Sequence, residues 1–130
     1  MKVSGKLLAA ALFLSVTATA FADVSAALKT LDPDNDGTID LPEAQAGAKK
    51  TFAKLNPDND GTLDAKELTG ILDEAAIKAA DPDNDGTLDE KEYAAVVEAK
   101  FKAANPDDDG TIDAAELGSP AGGELLKLIY

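Results

Sequence analysis

The sequence predicts an all-α protein: a compact bundle of about three main helices, four twelve-residue loops at its periphery, and adjacent loops sharing the helix between them. Three observations carry this. A twelve-residue pattern rich in Asp, Asn and Gly starts at residues 32, 56, 81 and 105, so its copies begin 24, 25 and 24 residues apart. The spacers 44–55, 68–80 and 93–104 place apolar residues at helical intervals. The repeat is also too short for each loop to own two helices. With helices of about 11 residues and a 12-residue loop, such units would start roughly 35 residues apart. One helix must therefore leave one loop and enter the next.

Taken in order, residues 1–22 read as a secretory signal peptide: Lys2 and Lys6 form a positive start, residues 7–16 an apolar run, and Ala20-Phe21-Ala22 a small-x-small cleavage site. The cut falls after Ala22, with Ala18 and Ala20 supplying a less favoured alternative. The apolar run is short of the ~20 residues that a membrane span needs. What remains, 23–130, is one acidic domain. Cleavage removes two Lys and no acid, taking the formal charge from −13 to −15. Such a chain repels phosphate, which excludes nucleic acid as a partner, and no second apolar segment ties the mature form to a membrane. The absence of Cys and His excludes thiolate and imidazole chemistry, zinc fingers and disulfides.

Residues 24–31 form a short entering helix with Val24, Leu28 and Leu31 on one side. Loop 1, residues 32–43, then reads DPDNDGTIDLPE. Asp32, Asp34 and Asp36 stand at positions 1, 3 and 5, where a turning backbone aims alternate side chains at one point. Gly37 at position 6 takes a turn that a Cβ would obstruct. Thr38 offers its backbone carbonyl at position 7, and apolar Ile39 at position 8 suits a short strand pairing with a neighbouring loop. Asp40 at position 9 binds directly or through water, and Glu43 at position 12 closes the site with both oxygens. Every donor is oxygen, which selects a hard cation. This is the calcium-type EF-hand loop. Loop 2 repeats it with Asn56, Asp58, Asp60, Thr62, Asp64 and Glu67, and loop 3 with Asp81, Asp83, Asp85, Thr87, Asp89 and Glu92. Loop 4 uses Asn105, Asp107, Asp109, Thr111, Asp113 and Glu116. Five of the 25 acids stand at ligand positions in each of loops 1 and 3 and four in each of loops 2 and 4, so the charge is mostly the sites themselves. Asp108 and Glu90 are expected to point off-centre and add only field or contacts to the ligands themselves.

Between the loops, the stripes Ala44, Ala48, Phe52, Leu55; Leu68, Ile71, Leu72, Ala75, Ala79; and Tyr93, Val96, Val97, Phe101, Ala104 describe helix packing rather than a cofactor site. The GSPAGG run at 118–123 breaks the chain, and residues 124–130 supply a last apolar turn or two as a lid on the core. So acidic a chain with so modest a core is expected to be partly unfolded without metal.

Pro at position 2 (Pro33, Pro57, Pro82, Pro106), Asp at position 9 and the short spacers resemble the lanmodulin family of periplasmic, lanthanide-binding EF-hand proteins. FKAANPD at 101–107 and SPAG after loop 4 are similar too. The resemblance covers essentially the whole mature chain. It implies selective binding of trivalent lanthanides such as La, Ce and Nd over Ca2+, ordering on binding, and pairing of loop 1 with loop 4 and loop 2 with loop 3. The chemistry is compatible. Five carboxylates in loops 1 and 3 leave −3 around a divalent ion and −2 around a trivalent one. Each like-charge pair about 4 Å apart costs on the order of 4 kcal/mol at an effective dielectric near 20, so a higher central charge offsets more repulsion. Asn56 and Asn105 each remove one charge, so loops 1 and 3 are expected to bind most strongly. In the resembled family Asn at position 1 belongs to the weak fourth loop, and Asn56 departs from that.

The main alternative is a secreted calcium buffer or sensor. A calmodulin-like target binder is disfavoured because the mature chain has no Met for an adaptable groove. A dockerin-like module is disfavoured by four complete loops with Glu at position 12. An enzyme is not expected, since four equal ligand sets describe storage or sensing. The ions are the partners expected, with the protein a monomer or a metal-dependent dimer.

Overall fold

The computed structural model describes residues 24–130; residues 1–22, where a signal peptide is expected, lie outside them. The fold is compact and all-α, of EF-hand type. Residues 24–31 are helical and form α1. There follow β1 (Ile39–Asp40), α2 (Leu41–Leu55), β2 (Thr62–Leu63), α3 (Glu74–Ala80), β3 (Leu88–Asp89), α4 (Glu90–Ala104), β4 (Thr111–Ile112), α5 (Ala114–Leu117) and α6 (Pro120–Ile129). No helix among the described residues is long and apolar enough to cross a membrane.

Adjacent loops share helices as the spacing requires. α2 leaves loop 1 and enters loop 2, and α4 leaves loop 3 and enters loop 4. The strands are the loops' own positions 7 to 9, too short to stand alone. They pair antiparallel across the molecule, loop 1 with loop 4 (Ile39 opposite Ile112, Asp40 opposite Thr111) and loop 2 with loop 3 (Leu63 opposite Leu88, Thr62 opposite Asp89). The four position-8 residues, Ile39, Leu63, Leu88 and Ile112, are fully buried, so each pairing is also a core contact.

Three long helices, α2, α4 and α6, pack on one another around Phe52, Tyr93, Val97, Leu125 and Leu128. The third is not the helix expected between loops 2 and 3. After loop 2 the chain runs through tight turns, with Gly70 at φ +81°, and restarts as a helix only where Asp73 caps α3 through a hydrogen bond from Ala76 N at 2.7 Å. Gly70 is free to adopt that left-handed backbone, which ends a continuous helix. The restart shifts the buried face. Ile77 is buried while Ala75 and Ala79, expected inside, are exposed. At the other end the GSPAGG run does not simply break the chain. Ser119 caps α6, its Oγ accepting from Gly122 N at 3.1 Å, and Pro120 occupies the first turn, where its missing N–H costs nothing. α6 therefore runs ten residues and buries Leu125, Leu128 and Ile129.

Candidate metal centres

Each loop is anchored at its start by the helix it leaves and at its end by the segment it enters, a helix in loops 1, 3 and 4 and a run of turns in loop 2. Position 1 immediately follows the entering helix as its C-cap: Asn56, Asp81 and Asn105 cap α2, α3 and α4. These residues and Asp32 are only 5–6% exposed, so the first donor of every loop is held inside the protein. Position 9 begins the exiting segment. Asp40, Asp64, Asp89 and Asp113 each accept from the backbone N–H of the Glu at position 12 through Oδ1, at 2.8–2.9 Å. The Glu Oε2 in turn accepts from the position-9 N–H at 2.8–3.0 Å. Asp-x-x-Glu at positions 9 to 12 is therefore a capping box, a signal present in the sequence but hidden beneath the ligand pattern. It fixes the rotamer of the closing Glu.

Between these ends the backbone folds around the side chains. The residues at position 4, Asn35, Asn59, Asn84 and Asp108, all adopt left-handed φ of 55–60°, and Gly37, Gly61, Gly86 and Gly110 lie at 84–88°. Asn and Asp tolerate that region better than other residues with a Cβ. Position 4 is thus a turn-former in every loop, a role the ligand count alone does not reveal; Asp108 fills it in loop 4.

In loop 1 the Asp32 Oδ2 accepts from Gly37 N at 2.9 Å and Asp36 Oδ1 from Thr38 N at 2.8 Å. Loop 3 repeats this with Asp81, Gly86, Asp85 and Thr87 at the same distances. One carboxylate oxygen each from Asp32, Asp34 and Asp36 lies within 4.8 Å of the others, and the same holds for Asp81, Asp83 and Asp85. Like charges so close shift proton affinities. The side-chain hydrogen bond to Asp32 raises the Asp34 carboxyl above its ordinary range, and Asp81 does the same to Asp83. Burial would raise Asp32 and Asp81, but N–H bonds from Gly37 or Gly86, with the bond to the position-3 carboxyl, outweigh it and lower both. Burial, followed by the charges of Asp40, Asp34 and Asp32, raises Glu43 despite the Asp40 N–H bond. In loop 4 the Asp113 N–H bond lowers Glu116, but burial and the charges of Asp107, Asp113 and Asp109 together raise it. The closing Glu thus feels the same field as the Asp set in these loops.

Loops 2 and 4 have the same ring with one carboxylate replaced. In loop 2 the Asn56 Oδ1 is buried with no hydrogen-bond partner. An orphaned acceptor of this kind costs about 1–3 kcal/mol, and a cation at the loop centre would relieve it. The residues present therefore fit a hard, oxygen-bound ion. In loops 1 and 3 it would be held by the carboxylates of positions 1, 3, 5, 9 and 12 and the position-7 carbonyl. In loops 2 and 4 the position-1 amide oxygen would replace one carboxylate.

Four acidic loops on paired EF-hand scaffolds define a metal-binding protein of calcium-loop type. Residues 74–100, which carry α3, loop 3 and most of α4, match the family model described as an EF-hand domain pair. No curated protein matches the chain.

Proposed function

We propose that this protein is exported to the periplasm and there binds trivalent rare-earth ions, serving their uptake, trafficking or buffering without acting on them as an enzyme. The observation that carries the reading is the grouping of three Asp carboxylates within 4.8 Å in each of loops 1 and 3, with Asp at position 9 and Glu at position 12 of the same loops offering two more. Such a site holds excess negative charge around a divalent ion, and a trivalent ion neutralises more of it. The resemblance to lanmodulin in Pro at position 2, Asp at position 9 and the short spacers points the same way. Filling the rings removes the repulsion that opposes folding, so ion binding orders the chain.

The match to an EF-hand domain pair over loop 3 favours a second reading, a calcium buffer of the same compartment. One titration separates them. Metal-free mature protein is titrated with calcium and with lanthanum while helix content is followed by far-ultraviolet circular dichroism. The rare-earth reading expects lanthanum to act at far lower concentration; equal midpoints leave only the calcium buffer.

A further inference from the structure

The position-7 threonine offers more than its carbonyl. In every loop its hydroxyl donates to Oδ1 of the position-5 Asp: Thr38 to Asp36 at 2.8 Å, Thr62 to Asp60 at 3.1 Å, Thr87 to Asp85 at 2.8 Å and Thr111 to Asp109 at 3.2 Å. The same Oδ1 accepts from the threonine's own N–H at 2.8–2.9 Å. One residue therefore grips one oxygen with two donors. A carboxylate oxygen accepts about two hydrogen bonds, so Oδ1 is saturated and Oδ2 is left for a ligand. Position 1 differs: Asp32 accepts through both oxygens, from Asp36 N at 3.2 Å and Gly37 N at 2.9 Å.

The grip matters because nothing else holds these side chains. Position 1 is fixed by burial, and positions 9 and 12 fix each other through the capping box. Asp36 and Asp85 are exposed, with no packing to choose their rotamer. Thr38 and Thr87 are half-buried, and a β-branched side chain is stiff at χ1, so the hydroxyl is itself well placed. On the reading that these loops take cations, we propose that the position-7 threonine hydroxyl is a positioning group: it sets the position-5 Asp to bind through one oxygen and so slows release of the ion. The threonine thus serves the site twice, its carbonyl as a ligand and its hydroxyl through the neighbouring carboxylate. The bonds are shorter in loops 1 and 3 than in loops 2 and 4, so the hydroxyl strengthens the same two loops that carry the fifth carboxylate.

The test compares Thr38→Val with Thr87→Val, made together, against Thr38→Ser with Thr87→Ser. Valine keeps the branched shape, the N–H and the carbonyl and removes only the donor; serine restores the donor. Mature protein loaded with terbium is mixed with an excess of a coloured chelator, and released ion is read from the dye. Ions of loops 1 and 3 should leave the Val pair about tenfold faster, the loss of roughly one hydrogen bond to a carboxylate. Uptake should keep its rate, because the loop charge that steers association is unchanged. The Ser pair should release as the wild type does. Release unaltered in the Val pair, or accelerated as much in the Ser pair, would overturn the proposal. If the Val pair loses helix content, the wild-type hydroxyls decide. In the nuclear magnetic resonance spectrum of the lanthanum-loaded protein, the Thr38 and Thr87 hydroxyl protons should be protected from water, and hydroxyls in free exchange overturn the proposal. The hydroxyl serves calcium equally, so equal calcium and lanthanum midpoints would defeat the rare-earth reading and leave this result standing.

Discussion

The Tyr93 hydroxyl donates to the Leu128 carbonyl at 2.6 Å, tying the first turn after loop 3 to the last turn of α6. That carbonyl lies where a helix has no N–H left to offer it. Tyr93 is almost fully buried, and burial pushes its phenol far above the ordinary range, so it remains a donor. Its ring meets Phe52 of α2 edge to face, 5.6 Å between centroids. One side chain therefore joins all three main helices. Tyr93→Phe keeps the ring contact and strands the carbonyl. A loss of about 1–2 kcal/mol is expected in chemical denaturation, with ion stoichiometry unchanged; no loss would show that the hydroxyl carries nothing.

The two tyrosines also report on different loops. Tyr93 follows Glu92, the closing residue of loop 3. Tyr130, half exposed, lines a cleft of about 390 Å³ together with Asp34 and Glu43 of loop 1. With no Trp in the chain, terbium excited through tyrosine should lose its loop 3 emission in Tyr93→Phe and its loop 1 emission in Tyr130→Phe. In the double variant the emission should fall to background although the ion stays bound. Full emission from the Tyr130→Phe variant would mean that loop 1 draws no energy from the C-terminus.

Two helical glycines should respond to alanine with opposite signs. Gly47 sits where α2 meets the end of α6 and α1. A Cβ there would stand 2.6 Å from the Ile129 carbonyl oxygen and 2.8 Å from Leu31 Cδ2. Gly47→Ala gains about 1 kcal/mol of helix propensity, but the helices must part to admit the methyl, at a cost of about 1–3 kcal/mol. A net loss is expected. Gly123, inside α6, has nothing within 4 Å of its would-be Cβ, so Gly123→Ala should gain about 0.5–1 kcal/mol. Thermal unfolding of both variants with and without calcium is the measurement, and equal signs would refute the packing argument.

These contrasts mark how far the sequence could be read. The loops, the helices shared by loops 1 and 2 and by loops 3 and 4, and the short strand at position 8 were legible because each follows from a local pattern, and the ladder partners matched those implied by the resemblance. The shortened α3 was not, since its spacer has helical periodicity and Gly70 acts through a single backbone angle. Nor was the length of α6. Two glycines after Ser-Pro resemble a break, yet Gly122 is required because the backbone of Glu116 and Leu117 occupies the space a Cβ would take.

The proton affinities of the loops predict a pH dependence that changes sign with metal. Asp34 and Asp83 titrate above the ordinary 3.8 in the folded protein, and Glu43 and Glu116 above 4.5. A carboxyl raised on folding binds its proton more tightly in the folded state. Its contribution to stability is fully present below the unfolded value and is lost as pH rises through the folded one. Asp32 and Asp81 are lowered, so theirs is present above 3.8 and lost as pH falls through the folded value. Stripped of metal, the protein should therefore melt at a higher temperature at pH 4.5 than at pH 7, and lose that gain once Asp32 and Asp81 take protons below 3.8. Loaded with lanthanum it should do the reverse, because the ion needs the same oxygens deprotonated and protons compete for them. Melting curves of stripped and loaded protein at the two pH values decide the matter. A stripped protein that melts higher at pH 7 would show that the Asp pairs and closing Glu residues do not repel one another as their placement requires.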